Sequence, residues 1–428
     1  MFAVNIRLVL ENFRKYGVLV ALPADFGDGY SNLVFAKQYA IMIICTYIPW
    51  LIERYVAPLS RKDRGIANLL HVVFFSVLVI CPWRAVYYDT NDLSVMHGLG
   101  ILALQCTSLM KVWSFWHTCS DLWSIRYNSG NKKQVQNLID DVFSDSPESK
   151  AVAEKYPECL SFFTFVKYMC YPTLVFQLWY PKIPGRPRLP LLSRYLLEII
   201  FAVALMYILT EQYMRPLLTN TVQLTYPFWV SGNWRELSVR LIERLLKLAV
   251  PNLYVWLLVF TSIFHSWMNF LAELTRFGDH QFYLDWWNAR SFRDYWQKWN
   301  LPVHYWIQRH MYRPLRGGVV GVGTFRAAVS RPLAVFTTFL VSGLVHEYLI
   351  MVPLRLNWRF CWITTLAFVT QLPLVILTDT EFVKKRPIFG NCLFWLTFCF
   401  TGQPVAVLFY FGLKLVASNE LTNHDVQG

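Results

Sequence analysis

Residues 333–353 read LAVFTTFLVSGLVHEYLIMVP, an apolar run in which His346 and Glu347 are the only acidic or basic side chains. As a helix, a run of this length spans about 30 Å, the thickness of the hydrocarbon core of a bilayer. An ionisable residue at that depth costs a few kcal/mol, so it faces a polar cavity and marks a reaction or transport path. A histidine in an apolar helix is also commonly a hydrogen-bonded packing residue. The pair therefore decides the fold class at once and the chemistry only with help from the rest of the chain.

Outward from this run, the composition places the whole chain in a membrane: 428 residues, 55% hydrophobic and 17% aromatic, with 18 Trp, exceed what a soluble surface tolerates. Candidate spans fall at 34–57, 67–88, 95–117, 194–214, 251–274, 333–353, 359–378 and 388–416, predicting an all-α polytopic protein of eight or nine transmembrane helices. Residues 1–20 carry Arg7, Glu11, Arg14 and Lys15 and read as a helix end or an interfacial segment rather than a signal peptide. Arg54, Arg61, Lys62 and Arg64 follow the first span, whereas 89–94 hold no basic residue, which sets the two loops on opposite sides. Continuing the alternation places 118–193, 275–332 and the Lys384, Lys385, Arg386 cluster on the cytoplasmic side. The stretch 215–250 breaks the pattern with Arg215, Arg235, Arg240, Arg244 and Lys247, and its LIERLLKLAV segment (241–250) suits the membrane interface.

A net charge of +13 invites a nucleic-acid reading, but the basic residues are scattered over membrane-flanking loops and form no stripe, which argues against it. Anionic lipid headgroups or an anionic soluble substrate fit better. Nine cysteines without a CxxC pair suggest neither a metal nor a disulfide framework. HEYLI (346–350) begins like a zinc-binding HExxH, but Ile350 stands where the second histidine belongs, so no metal is expected.

Two inter-span stretches are long enough to fold. In 118–193 a polar linker gives way to the aromatic segment 159–180, expected at the membrane, and the turn PKIPGRPRLP (181–190). The second, FGDHQFYLDWWNARSFRDYWQKWNLPVHYWIQRHMYRP (277–314), predicts short helices at the membrane surface, aromatic faces inward. Interfacial partitioning accounts for many of its Trp and Tyr residues, but not for Asp285, Asn288, Asn300 and His304.

FYLDWWN (Phe282, Tyr283, Asp285, Trp286, Trp287, Asn288) followed by HEY at 346–348 resembles the membrane-bound O-acyltransferase (MBOAT) family, in its sterol and diacylglycerol branch. WNLPVHYW, HEYLIMVPLR, GQPVAVL, ENFRKYGVLV (11–20), the loop 159–188 and RLLKLAVPN (244–252) extend the resemblance over nearly the whole chain, closer to the diacylglycerol enzymes than to the sterol ones. The family's longer N-terminus and complete first helix are not matched.

The resemblance implies one MBOAT domain over 1–428, an intramembrane reaction chamber, two long cytoplasmic loops (118–193 and 275–332) and a multi-pass protein of the endoplasmic reticulum membrane, as a homodimer or homotetramer among membrane lipids. It implies His346 as the general base of acyl transfer from a fatty acyl-CoA to diacylglycerol, with Glu347 tuning it or joining a proton path, although adjacent helical residues point about 100° apart. Asn300 and Gln403 are the implied donors to the thioester oxyanion. Trp299, His304, Tyr312, Ser342 and Arg331 are the implied acyl-CoA contacts, Arg331 chosen from a basic set that includes Arg309, Arg313, Arg316 and Arg326. Acyl-CoA is then a substrate, and no cofactor is called for. A sterol, retinol or long-chain alcohol acceptor would keep the same histidine chemistry. A proton-coupled transporter would require paired internal repeats, and none is present.

Overall fold

The structure, a computed structural model, describes residues 11–20, 29–58, 60–88, 95–127, 152, 155–317, 328–360 and 362–425. The polar linker at 128–150, the acidic turn 89–94, residues 1–10 and Arg326 lie outside these. Among the described residues there is no strand, only an isolated antiparallel bridge between Lys182 and Phe277.

Seven helices are long and apolar enough to cross a membrane. They are α1 (Ala36–Val56), α2 (Asp63–Tyr87), α3 (Val95–Arg126), α5 (Leu189–Val230), α6 (Trp234–Thr275), α9 (Arg331–Leu354) and α11 (Pro387–Ala417). Between them stand the short helices α4 (Phe162–Cys170), α7 (Phe292–Lys298) and α8 (Leu301–Ile307), and the apolar α10 (Ile363–Thr378). All eight expected apolar stretches are thus helical, but 359–378 is too short to span unaided. Residues Trp358–Phe360 turn as a 3-10 segment, and α10 is interrupted at Thr370. A ninth span is not found among the described residues, where the N-terminal segment is helical only over 11–16.

The largest departure from expectation is at 215–250, which is no loop. α5 and α6 run 42 residues each, joined by a turn at Gly232 (φ +70°), where a left-handed backbone favours glycine. At 1.5 Å per residue each is about 63 Å long, twice the hydrocarbon thickness. The charges that broke the alternation are largely neutralised along the helices by pairs four residues apart: Glu211 with Arg215 (2.8 Å), Glu236 with Arg240 (2.8 Å) and Glu243 with Lys247 (2.6 Å). Arg64 likewise does not act as a free loop cation. It is buried against Glu53 (2.8 Å) and Ser120, and the other Glu53 oxygen meets His71 at 2.9 Å.

The aromatic segment 159–180 packs on protein. Phe165, Tyr168 and Phe176 are buried with Phe115 of α3 in one core cluster. The buried Lys111 ammonium of α3 donates to the carbonyls of Tyr168, Met169 and Tyr171 at 2.9, 3.0 and 2.7 Å, satisfying the C-terminal end of α4 with a cation. Gln212 of α5 holds residues 11–20, accepting from Leu19 N–H (2.8 Å) and donating to Asn12 Oδ1 (2.8 Å) and the Gly17 carbonyl (2.9 Å).

Candidate active site

α9 starts at Ser330, whose hydroxyl accepts from Leu333 N–H, and ends at Arg355 in left-handed conformation (φ 55°). Its two polar faces follow from the 3.6-residue period. Gly343 and Glu347 lie one turn apart on the face against α10, while Ser342 and His346 share the neighbouring face. A Cβ on Gly343 would lie 2.9 Å from Thr365 Cα, so glycine there lets the two backbones touch.

His346 Nδ1 lies 2.7 Å from the Ser342 carbonyl. A carbonyl only accepts, so Nδ1 carries the proton, and a neutral ring then presents a bare Nε2 lone pair. The side chain is exposed on α9, so Nε2 is open to an incoming group. Its ring packs on Phe368 of α10 at 4.5 Å.

Phe368 leads to the aromatic loop. It touches Trp296 of α7 (5.7 Å), whose indole N–H donates to Gln371 Oε1 at 3.1 Å. One turn on stand Trp299 and Asn300. Trp299 stacks on Trp256 of α6 at 5.2 Å, and one turn from Trp256 the buried Asn252 donates to Gln403 Oε1 at 3.4 Å. From Gln403, α11 runs two turns to Tyr410, whose hydroxyl donates to Glu347. The contacts thus close a circuit through α9, α10, α7, α6 and α11, with His346 and Gln403 on it and Asn300 next in sequence to its Trp299. The π-helical turn Phe398–Gly402 immediately precedes Gln403, a distortion frequent at functional sites.

Asn300 occupies a left-handed backbone (φ 38°) and caps α8, its Oδ1 accepting from Val303 N–H at 3.4 Å. Both site amides therefore use their oxygen for structure. Their NH2 groups have no partner among the described residues and are left to donate.

The other expected contacts are placed unevenly. His304 is bonded to Gln308 (3.0 Å), and burial lowers its pKa below the ordinary imidazole value, against an opposing bond to the Trp296 carbonyl. Tyr312 is half-buried in the π-helical turn Gln308–Tyr312. Arg331 is exposed in the first turn of α9, whereas Arg309 bonds Thr118 (3.2 Å) and Arg316 bonds the Val329 carbonyl (2.7 Å). Trp299 is a core residue, buried among Trp256, Phe264 and Trp286.

The FYLDWWN segment is a folding knot. Phe282 and Trp286 are buried anchors in two different core clusters, and the Tyr283 hydroxyl meets His265 Nδ1 at 2.7 Å. Asp285 pairs with Lys298 (3.1 Å), and that bond holds its carboxyl below the usual range. The Trp287 carbonyl accepts from both Asn391 and Trp395 of α11, each at 3.0 Å. Asn288 is exposed and, with Asp285, Arg290, Asp294, Lys298 and Asn391, lines a polar surface cleft of about 620 Å³ that His346 does not enter. A Cβ on Gly390 would sit 2.2 Å from the Arg290 carbonyl oxygen. Gly390→Ala should therefore force the knot off α11, costing about 1–3 kcal/mol. A thermal midpoint well below wild type in detergent is expected, with Gly412→Ala, whose added Cβ has only an ordinary contact to Val222 (3.6 Å), as control. Equal melting of the two variants would refute this account of the motif.

Sequence reasoning missed Asn252, Gln371 and Tyr410. The two amides carried the signal that singled out Gln403, a polar side chain in an apolar run where an unpaired amide is costly. Tyr410 carried none, since tyrosine is ordinary in a membrane helix. Among the described residues no three His, Cys, Asp or Glu side chains group closely enough to hold a metal.

Comparison with known proteins places the sequence in a family. Residues 87–412 match the profile of MBOAT, the membrane-bound O-acyltransferase family. The chain is 32% identical to diacylglycerol O-acyltransferase 1C of Glycine max over 420 residues, covering 96% of this chain and 72% of that protein. It is 32% identical to diacylglycerol O-acyltransferase 1 of Arabidopsis thaliana over 421 residues (96% and 71%) and 33% identical to diacylglycerol O-acyltransferase 1 of Bos taurus over 413 (95% and 77%). With seven helices long and apolar enough to span and this extent of likeness, the chain is a multi-pass membrane protein and belongs to the membrane-bound O-acyltransferase family.

Proposed function

We propose that the protein transfers a fatty acyl group from acyl-CoA to the free hydroxyl of diacylglycerol, yielding triacylglycerol and CoA, with His346 as general base. The observation that carries the reading is the His346 geometry: Nδ1–H is committed to the Ser342 carbonyl, which leaves Nε2 to accept a proton. The relatives named diacylglycerol O-acyltransferase support the choice of acceptor.

The step balances without a cofactor. The diacylglycerol oxygen attacks the thioester carbonyl as Nε2 takes the hydroxyl proton, and the oxyanion formed is met by amide N–H groups of Asn300 and Gln403. Collapse breaks the C–S bond, and the imidazolium returns its proton to the departing sulfur, giving CoA as a thiol. Exposed Arg331 is a phosphate partner for CoA at the cytoplasmic end of α9. Residence in the endoplasmic reticulum membrane, as a dimer or tetramer, belongs to the same reading.

The test is a microsomal assay with labelled oleoyl-CoA and competing diacylglycerol, cholesterol and long-chain alcohol. Label is expected predominantly in triacylglycerol. Predominant labelling of cholesteryl or wax ester would refute the acceptor and keep the chemistry, and absence of any ester would refute both.

A further inference from the structure

We infer that Tyr410 is a positioning residue that acts through Glu347, so that the pair sets the spacing of the His346 and Gln403 helices. The inference rests on the acyl-transfer reading and assigns Glu347 a mechanical role in place of a proton path.

α10 begins inside the protein at Ile363, and its N-cap residue Trp362 offers no capping side chain. The first turn of a helix leaves N–H groups without intrahelical partners, and in a membrane no bulk water is at hand to satisfy them. Here they are satisfied from two other helices. Thr365 N–H donates to Glu347 Oε2 at 3.0 Å, with the Thr365 hydroxyl at 3.4 Å, and Thr364 N–H donates to the Tyr410 oxygen at 3.1 Å. Tyr410 in turn donates to Glu347 Oε1 and lies 2.9 Å from the Thr364 hydroxyl. Glu347, Tyr410 and Thr365 are all buried. No bond joins the Glu347 carboxylate to His346 in this arrangement, as the turn between adjacent helical residues dictates.

The geometry transmits to both reacting partners. Glu347 follows His346 directly, so its tether fixes the rotation of α9. Tyr410 lies seven residues after Gln403, two turns along the same side of α11 and about 10 Å away, so its tether fixes the register of the amide. The Gly343 contact with Thr365 holds α10 close enough for the carboxylate to reach.

A glutamine at 347 can keep every bond: its oxygen accepts from Thr365, its NH2 donates to Tyr410, and Tyr410 redirects its proton to the Thr364 hydroxyl. A proton-path residue would not survive that change. In purified enzyme assayed with oleoyl-CoA and diacylglycerol, with rates normalised to the monodisperse folded fraction, Tyr410→Phe should lower kcat about tenfold while KM for oleoyl-CoA stays near wild type, the mark of a change in the reacting geometry rather than in binding. Glu347→Ala should lose at least as much, and Glu347→Gln should recover about a third or more of wild-type kcat. The proposal is overturned by full activity in Tyr410→Phe, or by Glu347→Gln being as impaired as Glu347→Ala. If Tyr410→Phe does not accumulate as folded protein, the Gln against Ala comparison at 347 decides alone. His346→Ala measured alongside separates the two levels: retained activity there refutes the acyl-transfer reading whatever the Tyr410 variant does.

Discussion

Replacing His346 with alanine is expected to lower kcat for triacylglycerol formation by about 10²–10⁴, the usual contribution of a positioned general base. The loss should fall on kcat, with KM for oleoyl-CoA little changed, because the proposed mechanism has the imidazole meet the acceptor hydroxyl in the transition state and requires no contact with CoA in the ground state. The tautomer sharpens this expectation. Nδ1–H is held by a main-chain carbonyl that no side-chain substitution removes, so the ring orientation does not depend on the Ser342 side chain. Turnover within a few-fold of wild type in His346→Ala, in protein eluting as one folded species, would remove the base from the mechanism.

Gln403→Ala is expected to be the second most damaging change, lowering kcat by about 10²–10³, the range seen on removing one oxyanion donor. Its amide oxygen is occupied by Asn252, so the group it can offer a developing oxyanion is N–H. Gln403→Glu tests that directly, because an ionised carboxylate has the same shape and no donor. Both variants should be similarly impaired. A Gln403→Glu enzyme with near-normal turnover would show that the residue merely fills space. Asn252→Ala should cost less than either, since it frees the amide to flip without removing it.

How much of this was legible in the chain differs by residue. The apolar runs are visible because the cost of exposing backbone to lipid forces helices of bilayer length, a requirement that each segment meets by itself. His346 was visible because an imidazole in such a run is expensive, and the aromatic loop was visible by density alone. The 215–250 stretch misled for a definite reason: Arg215, Arg240 and Lys247 are paired four apart along α5 and α6, and counting them as loop charges treats neutralised groups as free. Trp299 entered through the resemblance, in the stretch it sets around acyl-CoA, and only the packing shows that it stacks on Trp256 in the core.

By itself, then, the sequence determined that this is a helical membrane protein, which run carries its ionisable pair, and which loop is dense in aromatic and polar groups, all properties set by local transfer free energies and by residue type. Only the tertiary structure decided what each polar group does. Glu347 takes its partners from 18 and 63 residues away, Gln403 takes its own from 151 away, and Arg64 finds a carboxylate on the preceding helix. A buried polar side chain must be satisfied, but its covalent neighbours on a helix point elsewhere, so the partner comes from whichever helix packing brings alongside. That requirement makes the residue conspicuous in sequence and leaves its role to the fold.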